Sequence, residues 1–240
     1  MIVESLVSPF LDANCYVCAP AAGAPALVVD PGVGIADRLG DVLARWDLSV
    51  GAVLATHGHL DHVWDAAAVA GDAPVYVPQP DLYRMENPAA PEIVGEMFVP
   101  LLEQLPTPWV KPANVQPVPQ EALSATVDLV EGVGVRMLPA PGHSEGSSLF
   151  FTAGPIRDGN QTVAGEDARL LCFDGDVIFA GSVGRSDLPG SDSRLMLQTL
   201  RTLLNVVDPE TVLLPGHGPA TTMKKESATN PYLNQARHVG

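Results

Sequence analysis

The chain has 240 residues, 46% of them hydrophobic, and 28 acidic residues against 13 basic give it a formal net charge of −15. That is enough apolar material for a sizeable core, and no Gly/Ser-rich linker or charge block divides the chain, so a single domain is expected. A surface this acidic repels phosphate backbones and anionic membranes, which argues against nucleic-acid and membrane partners, although acidic residues that hold divalent cations would offset part of the charge.

Three cysteines, Cys15, Cys18 and Cys172, make an odd count. In a chain of this length that is no disulfide framework and suits a reducing compartment, so a cytoplasmic location is expected. Cys15-x-x-Cys18 lacks the second pair of a zinc ribbon and reads as part of a strand, so both thiols are taken as small buried hydrophobes. The sequence opens with no basic segment, and no stretch approaches ~18 uninterrupted apolar residues.

Taken in order, Ile2–Val7, 15–18 and 26–30 read as strands, the last ending in Asp30-Pro31-Gly32. Residues 35–46 look helical, and 50–56 form the continuous apolar run of a buried strand. A short Ala-rich helix over 62–70 and a strand over 74–77 follow. Residues 84–125 differ: eight prolines surround one segment, 93–105, with apolar residues at 93, 94, 97, 98, 101, 102 and 105. That spacing predicts a helical stripe bent near Pro100, in a proline-rich excursion from the main fold. Strands resume at 126–130, 133–138, 148–152, 169–173 and 177–180, with a polar loop over 156–167. A long helix over 193–207 precedes a last strand at 212–214. Strand runs mixed with helices point to an α/β (α+β) fold of sheets covered by helices, rather than a strictly alternating parallel sheet.

The chemistry concentrates in Thr56-His57-Gly58-His59-Leu60-Asp61-His62, where the buried strand gives way to a helix. Alternate residues of an extended segment face the same way, so His57 and His59 can reach one ion, while Asp61 and His62 turn toward a second position. Imidazole and carboxylate together suit Zn, Fe or Mn. Three further turns supply His143 (Pro-Gly-His), Asp176 (Gly-Asp) and His217 (Pro-Gly-His-Gly). Alone, His143 or His217 would be read as an ordinary hydrogen-bonded residue. Five of the six histidines in such settings point instead to a shared site; His238, near the end of the sequence, is left out. Asp174 rivals Asp176, but Asp176 stands directly before the apolar run.

At these residues the sequence resembles the metallo-β-lactamase superfamily and, within it, the short bacterial glyoxalase II-like (hydroxyacylglutathione hydrolase-like) hydrolases. The match runs through His-x-His-x-Asp-His, Pro-Gly-His, Gly-Asp and Pro-Gly-His-Gly-Pro. It extends to Val-Asp-Pro-Gly at Asp30, to Gly-Arg-Ser-Asp at Arg185 and to Thr221-Thr222 with Asn230-Pro231. The resemblance implies an αββα sandwich with two divalent ions at one sheet edge, zinc first, iron or manganese as alternatives. His57, His59 and His143 would take one ion and Asp61, His62 and His217 the other. Asp176 would bridge them, with Asp30 supporting from behind. True metallo-β-lactamases commonly carry cysteine at the bridging position, so antibiotic hydrolysis is not expected. Full-length glyoxalase II enzymes also carry a C-terminal helical domain for glutathione, and almost nothing follows His217 here.

The implied reaction is cleavage of a small-molecule thioester by hydroxide generated at the two ions, roughly 3.5–4 Å apart. Asp61 would orient the hydroxide, with Asp176 the other catalytic carboxylate. Arg185 would bind an anionic part of the thiol portion, or simply pair with Asp187. The excursion at 84–125 would be either a substrate wall or a surface or homodimer contact. The nearest rival is a mononuclear iron persulfide dioxygenase using His57, His143 and Asp176. A nuclease of the same superfamily is disfavoured by the acidity, and a non-catalytic metal-binding or scaffold protein by the complete ligand set.

Overall fold

A computed structural model describes residues 1–155 and 168–238. The polar loop read at 156–167 lies outside the described residues. The first half threads β1 (Ile2–Val7), β2 (Asn14–Ala19), β3 (Pro25–Val29), α1 (Ala36–Trp46), β4 (Ser49–Leu54), α2 (Leu60–Val63), α3 (Ala66–Ala70), β5 (Val75–Val77), α4 (Pro91–Val94), α5 (Val99–Leu102) and β6 (Val115–Pro117). The second half runs through β7 (Val127–Val130), β8 (Val133–Pro139), β9 (Ser148–Pro155), β10 (Ala168–Gly175), β11 (Ile178–Phe179), β12 (Ser182–Val183), α6 (Ser193–Val206), β13 (Val212–Pro215), β14 (Thr221–Thr222), α7 (Met223–Thr229) and α8 (Pro231–His238).

Two six-stranded sheets result, ordered β1-β2-β3-β4-β5-β6 and β14-β13-β10-β9-β8-β7. The first is antiparallel through β3 and parallel from β3 to β6. The second is antiparallel except where β10 lies parallel to β13, a pairing that needs a crossover and obtains it from α6. Leu27, Leu54, Phe150 and Phe173 fill the space between the sheets. Ile35, Leu39 and Val42 of the α1 segment cover the outer face of the first sheet, and Met196, Leu200, Leu203 and Leu233 of α6 and α8 that of the second. This is the αββα sandwich.

Local chemistry explains the helices. Asp37 in the first turn of α1 and Arg45 in the last complement its dipole, and Asp47 closes it in the left-handed region at φ 55°. Asp192 caps α6 by accepting from the Arg194 and Leu195 amides. Strand β2 is buried on both faces: Tyr16 and Cys18 point between the sheets, Cys15 and Val17 toward α1. The two cysteines therefore face opposite cores and form no pair. Burial raises both thiols, Cys18 to about 12, which suits inert hydrophobes.

Several predicted elements need correction. Residues 62–70 are two short helices, because Asp65 between them is held elsewhere: its carboxylate accepts from the Ala36 amide (2.9 Å) and its own amide donates to Pro31 (3.0 Å). The stripe at 93–105 breaks at Gly95 (φ 82°, ψ 145°), not at Pro100, which starts α5 comfortably in its first turn. The stretch 84–125 also returns β6 to the first sheet, so it is only partly an excursion. After His217 come β14, α7 and α8; α8 packs with α6 on the second sheet rather than forming a separate domain.

Candidate metal centre

All seven predicted ligands meet at the ends of β4, β8, β10 and β13. Single ligand atoms of three groups come within 4.8 Å of one another: His57, His59 and His143; His57, His62 and Asp176; and Asp61, His62 and His217. Asp176 stands between the two ends of the cluster. Its Oδ1 is 3.3 Å from His62 Nε2, and its Oδ2 is 3.4 Å from His143 Nε2 and 3.6 Å from His217 Nε2. His217 Nε2 also lies 3.3 Å from Asp61 Oδ2. Asp174, two residues earlier on β10, belongs to none of these groups; its carboxylate is buried with no hydrogen-bond partner.

The rings are aimed from behind. Asp30 sits in the left-handed region (φ 54°), a conformation that costs of order 1 kcal/mol for a non-glycine residue and that aspartate tolerates better than most. In that pose Asp30 Oδ1 accepts from the Thr56 amide (2.7 Å), and Oδ2 accepts from Thr56 Oγ1 (2.7 Å) and His62 Nδ1 (3.0 Å). Because the Thr56 proton goes to Asp30, its oxygen accepts from His57 Nδ1 (3.1 Å). His143 Nδ1 donates to the Arg185 carbonyl (2.7 Å). His57 and His143 thus carry their protons outward and turn bare Nε2 atoms into the cluster, while His62, whose Nδ1 also donates outward, presents Nε2 to Asp61 and Asp176.

This arrangement supplies a test of whether cations fit. His59 Nδ1 lies 3.1 Å from His57 Nε2 and 2.9 Å from His143 Nε2, and one ring proton cannot satisfy both lone pairs. His62 Nε2 and Asp176 Oδ1 are buried without a hydrogen-bond partner. Converging lone pairs and orphaned buried acceptors are what a divalent cation satisfies, and the donor set fits.

Charge differs across the centre. Burial, then the neighbouring histidines, push His57 and His59 well below the ordinary imidazole value. Burial would lower His62 and His217 too, but Asp176 and Asp61 around the first, and the hydrogen bond the second donates to Asp61, raise them instead. Burial works to raise the two carboxyls, and His62 overrides it: Asp61 comes down to about 2 and Asp176 also falls well below the usual range.

Glycine is required at several positions here, two of which show why. A Cβ on Gly216 would lie against Asp176 Oδ1, and one on Gly175 (φ 50°) against Thr56 Oγ1.

Two supports escaped the sequence reading. Thr56 was visible beside His57 but had no assigned role. Asp81 lies on a 3₁₀ turn, Gln79–Met85, just after β5. Fully buried, it accepts from the Gly58 amide (2.8 Å), the Gly146 amide (2.7 Å) and Ser144 Oγ (2.7 Å), so it clamps the loop of His57 and His59 to that of His143. Beside it, buried Arg84 donates to Glu145 (2.6 Å) and to the Pro189 carbonyl (3.1 Å). Arg185, the predicted anion-binding residue, forks onto Asp187 with Nε–Oδ1 2.7 Å and Nη2–Oδ2 2.9 Å, which is the structural pairing.

A cleft of about 420 Å³ opens over the cluster, lined by His59, Asp61, His143, Asp176 and His217 and, from the excursion, by Ile93, Val94, Phe98, Leu101 and Leu102. Among the described residues, no helix is long and apolar enough to cross a membrane.

A family model described as the metallo-beta-lactamase superfamily matches residues 8–155. An uncharacterized protein of Mycobacterium tuberculosis (strain ATCC 25618 / H37Rv), Rv2581c, is 34% identical over 235 residues, covering 97% of this chain and 98% of its own length. Hydroxyacylglutathione hydrolase GloC of Haemophilus influenzae is 30% identical over 213 residues, 87% of each chain. Among solved structures, the BLEG-1 B3 metallo-beta-lactamase is 27% identical with a TM-score of 0.74, covering 96% of this chain and 99% of that one. TTHA1623 in a di-iron-bound form is 30% identical, TM-score 0.69, covering 95% and 98%. ETHE1 from Myxococcus xanthus, at 20% identity and TM-score 0.68 over 99% and 91%, shares the fold.

Proposed function

This chain belongs to the metallo-β-lactamase superfamily, and on that premise we propose that it is a bimetal hydrolase that cleaves a thioester. The observation that carries this reading is Asp176: its two oxygens face His62 on one side and His143 and His217 on the other, so a single carboxylate joins two ligand groups. The GloC relative supports acyl-thiol chemistry over other superfamily reactions. The donor set suits zinc, our assignment, and the di-iron form of TTHA1623 makes iron its competitor.

His57, His59 and His143 would hold one ion, Asp61, His62 and His217 the other, with Asp176 between. Ions so held would acidify a shared water and polarise the substrate carbonyl. The residues do the rest. Asp61, ionised across the working pH range, holds a hydrogen bond from the attacking water and fixes its direction toward the carbonyl carbon. The water oxygen bonds to that carbon and the carbon–sulfur bond breaks with its electron pair on sulfur. One proton of the water ends on the departing sulfur and the other passes to solvent, leaving a carboxylate and a thiol. Asp30 and Thr56 keep the His62 and His57 rings from turning as charge develops.

The test is purified, metal-analysed protein assayed against lactoyl and other thioesters, with parallel oxygen-electrode runs on a thiol persulfide and a chromogenic cephalosporin. We expect close to two transition-metal ions per chain and thioester turnover without oxygen uptake. Saturation at one iron with oxygen consumption would make it a persulfide dioxygenase, and turnover of the cephalosporin alone would make it a lactamase.

A further inference from the structure

We propose that the cleft selects uncharged thioesters carrying an apolar group beside the scissile carbonyl, and discriminates against glutathione thioesters; this rests on the thioester reading above. Ile93, Phe98, Leu101 and Leu102 furnish apolar lining from the excursion, and Phe179 and Leu188 add to it. The excursion is anchored through a cluster in which Val94, Leu101 and Leu102 pack with Leu60 and Trp64. Leu60 immediately precedes Asp61 and His62, so the apolar lining is fixed relative to the centre by the same helix that presents two of its ligands.

The electrostatics point the same way. Among the described residues the cleft is lined by one lysine or arginine, Arg185, and Asp187 already neutralises it through two hydrogen bonds. Its guanidinium stacks over the Phe98 ring at 5.1 Å from the centroid, so it fastens the excursion instead of reaching for an anion. Asp61, Asp176 and the histidines that line the cleft belong to the metal clusters, so beyond the centre Arg185 is the cleft's one cationic side chain among the described residues. Glutathione would bring two carboxylates and an ammonium into the part of the cleft away from the metal cluster, where the lining is apolar and Arg185 is already paired, and would lose their hydration there. An apolar chain of the same bulk would leave water for a surface that matches it.

The experiment measures kcat/KM of the metal-loaded protein on four substrates. These are hexanoyl-N-acetylcysteamine, the acetyl thioester of hexanethiol, acetyl-N-acetylcysteamine and lactoylglutathione. One of the first two should exceed the last two by about tenfold or more, mainly through KM, since contacts remote from the reacting atoms act as uniform binding. Whichever of the two leads identifies whether the acyl or the thiol side occupies the apolar wall. Phe98→Ser should shrink that preference about tenfold, and Leu102→Lys, which supplies the missing cation, should shift it toward lactoylglutathione. Preference for lactoylglutathione in the wild-type protein would overturn the inference while leaving the hydrolase reading intact. So would variants that alter only the association state, which would make the excursion a contact between copies. If two ions bind and no thioester is turned over, the hydrolase reading itself fails and this inference falls with it.

Discussion

The two ends of the metal centre are built on opposite electrostatic plans. Around His57, His59 and His143 the donors are imidazoles, and burial and mutual repulsion keep His57 and His59 neutral. Around Asp61, His62 and His217 carboxylates dominate, and they shift His62 and His217 upward, so a cation there competes with protons more than it would at an ordinary imidazole. The first end has lone pairs waiting; the second balances negative charge with protons until metal arrives. The difference teaches that, if two ions bind as proposed, affinity and proton release need not be shared evenly between the halves, even though one carboxylate faces both.

Removing that shared carboxylate should erase the contrast. Asp176→Asn is expected to lower kcat by on the order of 10³–10⁴-fold and to weaken both ions, read by steady-state kinetics and metal analysis. Its supports should separate the halves. Asp30→Asn, which deprives His62 of its direct partner, should weaken the carboxylate-rich position by about 10–100-fold. Thr56→Val should act first on the other position, through His57, and by about tenfold. Equal losses at both positions in both variants would break the comparison.

Acidification sharpens it without mutation. His62 and His217 hold protons to higher pH than ordinary imidazoles, so as pH falls the carboxylate-rich position should lose its ion first, by about tenfold in affinity per pH unit for each proton displaced. His57 and His59, with depressed values, stay neutral and keep theirs. Equilibrium dialysis against pH should therefore pass through a plateau at one ion per chain. The smallest effect is expected at Asp174→Asn. Burial raises that carboxyl well above its ordinary value, so its charged form is disfavoured there, and the amide keeps its shape. Thermal unfolding should register within about 1 kcal/mol of wild type, and metal content should not change.

That these seven residues would cluster was legible in the sequence, because metal chemistry restricts residue types tightly and one turn puts several of them within a few residues. The apolar run after Asp176 favoured it over Asp174, and it is Asp176 that joins the cluster. The supports were less legible for a physical reason. Asp81 sits in an ordinary Pro-Gln-Pro-Asp turn, and its partners Gly58 and Gly146 lie 23 and 65 residues away in sequence. Nothing local marks it. The sandwich could be anticipated from buried strand runs, but the segment after Arg84 could not be drawn correctly. Apolar spacing at 93–105 satisfies a helix on paper, while Gly95 adopts φ 82° and breaks it. Strand β6 is three residues long and recognisable only from its pairing with β5.

The three buried cysteines give the sandwich a means of timing its own openings. Cys18 lies between the sheets, Cys15 in the layer under α1, and Cys172 in the layer under α6, each fully shielded from solvent. A thiol reagent can reach each one only when its own layer opens, so three labelling rates from one unmodified chain report on three cores separately. A single common rate would mean that the layers part together. A Cys15 or Cys172 faster than Cys18 would mean that a helical cover lifts while the sheets stay joined. Cys15, Cys18 and Cys172 lie on strands that end near the metal loops, so the same rates, followed as metal is withdrawn, would reveal which layer the ions hold shut.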